Sequence, residues 1–151
     1  MKKFAFSLEN VLRYKEETLD MLKNEMAQLQ MKIQELEQAI FRTNQEYSGL
    51  NRTLRLEMKT GVEPRGVAVY KRYFAELDRR VHKLESQRTA VQRAAAAKQQ
   101  EIVKMKSDIS GLEKLRESQR KDYEAQGRKE QEQMIEEFVS RKESPSDYRT
   151  A

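Results

Sequence analysis

Apolar residues that recur at alternating steps of three and four can be buried only along one narrow line of a long helix, and this chain contains two such lines. The first runs Leu8, Leu12, Lys15, Leu19, Leu22, Met26, Leu29, Ile33, Leu36, Ile40, Thr43, Tyr47, Leu50 and Leu54, with Lys15 and Thr43 its only polar members. The second runs Tyr70, Phe74, Leu77, Val81, Leu84, Arg88, Val91, Ala95, Lys98, Ile102, Met105, Ile109 and Leu112, interrupted by Arg88 and Lys98. Sustained 4-3 spacing of this kind is the pattern of coiled-coil helices. A pair of such helices encloses no compact interior, so the pattern points to an interaction rod and away from a catalytic pocket.

Composition agrees with long exposed helices and not with a globular domain. Charged residues make up 36% of the 151 and aromatic ones 7%, with no tryptophan and five glycines. A mean hydropathy of -0.97 overlaps that of unfolded chains, but a disordered segment has no reason to hold a seam in register for about six heptads. Cysteine is absent, which removes disulfides and thiolate metal sites. No apolar run approaches the roughly 20 residues that span a bilayer. The basic start Met1-Lys2-Lys3 is followed by Glu9 and Asn10 before any apolar core of a signal peptide develops, so the expected location is the cytoplasm.

The breaks define the layout. Ser7 is placed to cap the first helix, with Phe6 and Val11 as its hydrophobic staple. Helix one is expected over about 7–59 and a bend at about 60–66, where Gly61 suits a left-handed residue after the last turn. Pro64 suits the first turn of helix two, expected over about 64–142. Ser144-Pro145-Ser146 should end it, leaving a frayed tail over 143–151. So short a connection makes the helices antiparallel neighbours, pairing residues whose numbers total about 124. The second seam fades after Leu112 and Leu115, where Leu8 and its partner near Arg116 use up the first. The fold class is therefore all-α: one antiparallel coiled-coil hairpin with a C-terminal helical overhang from Arg116. Tyr123, Met134, Ile135, Phe138 and Val139 are expected to lack partners within the chain.

Little in the sequence supports chemistry. His82 is the only histidine and lies beside the seam position Val81, which suits a solvated helix face. No Walker loop or dinucleotide fingerprint occurs, and nothing converges carboxylates in a dry pocket. The chain is read as a non-enzyme with no catalytic residue, cofactor, metal or small-molecule substrate. Charge is more telling. Residues 65–98 hold nine Lys or Arg against three acids, +6 where the whole chain is +5. A localised basic stretch attracts acidic protein, nucleic acid or anionic lipid, or is simply a solvated face. Nucleic acid gains least support, since Tyr70 and Phe74 belong to the seam and are not free to stack. Phe41 and Tyr73 fall off the seam and are interface candidates, with Arg79 and Arg80 beside them as charged ones.

With these residues in view, the chain resembles the flagellar export protein FliJ family. The resemblance rests on Phe4-x-Phe6-x-Leu8-x-x-Val11-Leu12, on Glu46-Tyr47 before the bend and Tyr70-x-x-Tyr73-x-x-x-Leu77 after it, and on Leu115-Arg116-Glu117, Tyr123 and Glu130-Gln131. Glu136-Glu137 departs from the Asp-Glu pair expected there. The resemblance implies an antiparallel two-helix coiled coil similar to the stalk of rotary ATP synthases. It implies that the terminal end enters the hexameric flagellar export ATPase, promoting ring assembly and activity. The bend end would engage the cytoplasmic region of the export gate membrane protein, and export chaperones would bind as well. Carried over, Tyr47, Tyr73 and Leu77 face or support the gate contact, joined by Phe41, Arg79 and Arg80. Leu115, Arg116, Glu117, Tyr123, Glu130, Gln131 and Glu137 are ring-contact candidates, with Phe4, Phe6 and Met134. The protein would be cytoplasmic and peripheral to the membrane-bound export apparatus. An injectisome stalk, a basic nucleic-acid-binding hairpin and a homo-oligomeric scaffold are the competing readings.

Overall fold

The computed structural model describes residues 2–142, and the expected helix stop at Ser144-Pro145-Ser146 and the tail 143–151 lie outside the described residues. Two helices account for nearly all of the rest: α1, Glu9–Thr60, and α2, Pro64–Lys142. The described residues contain no strand. The chain divides into two compact units, one formed by Met1–Thr18 with Met105–Ala151 and the other by Leu19–Lys104.

In both units α1 and α2 pack antiparallel along the two stripes. Within the first unit Lys15 faces Asp108 at 3.1 Å, and within the second Lys98 faces Glu25 at 2.6 Å. Each pair totals 123 in residue number, one short of the expected register. Seam residues supply the buried apolar set: Leu12, Leu22, Leu36, Ile40, Leu77, Ala95, Ile102 and Ile109. Leu12 and Leu77 are the most completely enclosed.

Three of the four polar members of the seam find partners, by two devices. Lys15 and Lys98 carry their ammonium groups out to carboxylates flanking the opposite stripe. Thr43, 5% exposed, donates its hydroxyl to the Ala39 carbonyl at 2.8 Å and so needs nothing from the other helix. Arg88 leaves its buried Nε without a partner among the described residues, while the side chain as a whole is half-buried, its stem along the seam.

The bend, Gly61–Glu63, closes by backbone chemistry. Gly61 has φ = 96°, the left-handed conformation expected after the last turn of α1. The Glu63 carbonyl accepts from the Gly66 N–H at 2.9 Å, opening α2 with Pro64 in its first turn. The other end of α1 differs from expectation. Ser7 makes no side-chain hydrogen bond among the described residues, and the helix starts at Glu9, through a backbone turn from the Glu9 N–H to the Phe6 carbonyl. Val11 is 42% exposed while Phe6 is buried, so Phe6 does not pair with Val11 in a staple. It is buried instead within its own unit.

That burial moves the start of the overhang. The extended segment before α1 covers α2 beyond Leu115, and Phe4 packs its ring on Tyr123 with centroids 5.5 Å apart. Tyr123 therefore has an intramolecular partner, and Arg116 reaches Glu9 at 3.5 Å. The part of α2 exposed at every residue is Arg128–Lys142, roughly 22 Å of helix. Replacing Leu77 with Ala should cost about 2–3 kcal/mol in denaturant unfolding, against less than about 0.5 kcal/mol for Phe41→Ala, because only Leu77 is enclosed. Equal costs would mean that the stripe is not the packing surface.

Candidate functional site

Within the Leu19–Lys104 unit, the side chains nearest the bend form an aromatic and charged surface. Tyr47, at a seam position, leans on Phe74 with ring centroids 4.7 Å apart and an interplanar angle of 58°. Tyr73, one step off the seam, donates its hydroxyl to the Glu46 carboxylate. Arg80 approaches the other oxygen of the same carboxylate at 3.5 Å. One acid on α1 thus fixes a phenol and a guanidinium on α2. Arg79 turns instead to Glu76 on its own helix at 2.9 Å. Phe41 stands in the open, 62% exposed. Leu77 is enclosed, so it holds this surface up and contributes no area to it.

Sequence reasoning missed a groove here. Gly49, Leu50 and Thr53 of α1 and Val69, Tyr70 and Tyr73 of α2, with Glu46 at the edge, line a cleft of about 440 Å³. Its signal was a glycine inside a long helix, unfavourable there by about 1 kcal/mol. A Cβ built on Gly49 would meet nothing within 4 Å, so its absence helps keep the cleft open. The Glu57 carboxylate beside Tyr70 pushes that phenol above its ordinary value, and Glu46 does the same to Tyr73, since each hydrogen bond needs the phenolic proton. Glu25 holds the Lys98 ammonium above its ordinary value in the same way.

The unit formed by Met1–Thr18 and Met105–Ala151 presents a second surface. Phe4 lies against Tyr123 and so covers α2 there, while Phe6 is buried within the unit. Arg120 grips Glu117 with two nitrogens, at 2.7 and 3.0 Å, and reaches Glu124 at 2.6 Å with a third contact. Arg120 thereby holds the Glu117 carboxyl below its usual range. Leu115 is 40% exposed. Tyr123, Glu130, Gln131 and Met134 come together with Glu124, Gly127 and Arg128 around an open concavity of about 640 Å³. Glu137 is exposed further along the helix, and Met134, Ile135, Phe138 and Val139 are 46–69% exposed. Lys142 places its ammonium 4.9 Å from the centre of the Phe138 ring.

Among the described residues no group of three His, Asp or Glu could hold a metal ion. His82 sits in a shallow depression with Glu85, Ser86, Thr89, Ala90 and Arg93, which offers it solvent and neighbours on its own helix. No described helix is long and apolar enough to cross a membrane. What both surfaces can do is bind: exposed apolar and aromatic groups stand among fixed charges on rigid helices.

The family model described as "Flagellar FliJ protein" matches residues 4–144. No curated protein and no solved structure matches the chain.

The tyrosine and lysine contacts carry a pH signature. Tyr70 and Tyr73 are raised from 10.0 and Lys98 from 10.5. A group held above its unfolded value contributes stability that is complete below that value and is lost as pH rises through the folded one. The Leu19–Lys104 unit should therefore lose thermal stability above about pH 10. In Glu46→Gln, NMR titration of the tyrosine ring carbons should show Tyr73 returning to its ordinary value while Tyr70 stays raised. A raised Tyr73 in that variant would contradict the assignment.

Proposed function

The chain belongs to the flagellar FliJ protein family, non-enzymatic components of flagellar protein export, and from that premise we propose that it is the stalk-like coiled coil of the export ATPase. In this reading the unit holding residues 105–142 of α2 enters the central hole of the hexameric ATPase. There it promotes assembly and activity of the ring. The unit holding the bend engages the cytoplasmic region of the export gate membrane protein, through Phe41, Tyr47, Tyr73, Arg79 and Arg80 above a packed Leu77. Export chaperones are further partners, and the protein works in the cytoplasm at the periphery of the membrane-bound apparatus.

One observation carries the ring assignment. The fifteen residues Arg128–Lys142 are exposed throughout, yet they place Met134, Ile135, Phe138 and Val139 on the helix surface. A helix polar all round needs no partner, whereas one with four large apolar groups in water gains by burying them. Glu130, Gln131 and Glu137 flank these groups and would set orientation. Leu115, Arg116, Glu117 and Tyr123 lie nearer the covered part of α2. With Phe4 and Phe6 they act by holding the projecting helix firm.

The position of Tyr123 decides how to test this. A truncation after Leu115 would strip the cover from Phe4 and Phe6, whereas a stop after Lys129 leaves those contacts whole. The chain ending at Lys129 should keep its melting temperature within a few degrees but lose capture by, and stimulation of, the purified export ATPase by about tenfold or more. Full stimulation by that truncated chain would refute the placement of α2 in the ring.

A further inference from the structure

Of the nine cations between residues 65 and 98, four are engaged. Arg79 pairs with Glu76, Arg80 with Glu46 and Lys98 with Glu25, while Arg88 lies in the seam. Arg65, Lys71, Arg72, Lys83 and Arg93 have no acidic partner within 4.0 Å among the described residues, and all five are exposed. Their placement is regular. Arg65, Arg72, Arg79 and Arg93 recur at multiples of seven, two residues past seam positions such as Tyr70, Leu77 and Val91. That is the position turned directly away from the opposite helix. Only Ser86 interrupts the series, and no acid occupies it. The result is an outward-facing row of guanidinium groups about 42 Å long, in which Arg79 is paired with Glu76 and Arg65, Arg72 and Arg93 are not.

We propose that this row is a docking surface for an anionic lipid bilayer, a contact beyond the ATPase and gate contacts proposed above that shares only Arg79 with them. Two features favour a bilayer over other polyanions. The row positions themselves carry no aromatic side chain, and specific protein interfaces and single-strand nucleic-acid sites depend on such anchors. Beside the row stand Ala68 and Ala75, which cast no shadow over the guanidinium groups, and Val69, 65% exposed, which can enter the headgroup layer. Diffuse positive charge with one small apolar insertion suits a fluid surface whose lipids rearrange to meet it.

The test is co-sedimentation of the full chain with vesicles. We expect it to partition onto phosphatidylcholine vesicles containing about one third phosphatidylglycerol and not onto pure phosphatidylcholine, with binding falling steeply as salt rises. Arg72→Glu with Arg93→Glu should weaken partitioning about tenfold or more, whereas the charge-matched pair Lys104→Glu with Lys106→Glu should weaken it less than about threefold. Neither pair touches the seam, so both variants should keep the helical circular dichroism and melting temperature of the parent. Absence of partitioning, or equal loss in both pairs, would overturn the proposal. So would tighter binding to duplex DNA or to polyglutamate at matched charge concentration.

Discussion

A two-helix coiled coil has one seam and nothing behind it. Each apolar side chain must be covered by the single facing helix, so a slip in register exposes the whole stripe at once. Everything else in this chain answers to that constraint. Three of the four polar residues that interrupt the stripe are resolved one by one: Lys15 and Lys98 by carboxylates across the seam, Thr43 by its own backbone. The two lysine pairs also fix the alignment. Each joins a residue to a partner 93 or 73 positions away in sequence, and no neighbouring register offers the same pair of charges. As partly exposed contacts they add specificity more than stability.

The seam, the bend and the pairing were legible in the sequence because each has a short-range signature. Heptad spacing names the buried face, Gly61 and Pro64 name the stop and restart, and the brevity of the bend dictates the direction. The covered length of α2 was not legible. The stripe continues from Leu112 in the same 4-3 rhythm to Arg116, Gln119 and Tyr123, but two of these three are polar and read as the end of a seam. The cover of Tyr123 is Phe4, in a segment with no helical period, so periodicity cannot detect it. Ser7 was misread for a related reason. A side chain suited to capping does not act as one where the backbone already closes the turn from Phe6 to Glu9. The contact surfaces were legible only by residue. That Glu46 binds Tyr73 and Arg80 together, or that Leu77 and Phe6 lie beneath their surfaces, depends on which faces of the two helices meet.

The surfaces left over after the seam is made differ between the two units. Around the bend, aromatic groups are tied down by acids of α1, and the outer face of α2 keeps unneutralised cations. In the other unit, Arg120 ties Glu117 and Glu124 together, and large apolar side chains stand exposed from Met134 to Val139. A component of the flagellar export apparatus has use for two chemically distinct surfaces on one chain. An account in which both are solvated helix faces would have to explain four large apolar residues left bare on the last turns of α2.

Because the chain has no cysteine, two introduced at Asn24 and Gln99 take spin labels cleanly, and both positions are exposed. Folded back in the register described, one molecule should hold the labels within roughly 25 Å, given helices whose axes lie 8–10 Å apart. That distance should survive dilution with unlabelled protein. A longer distance, or a short one that fades on dilution because it arises between molecules, would contradict the fold on which the account rests.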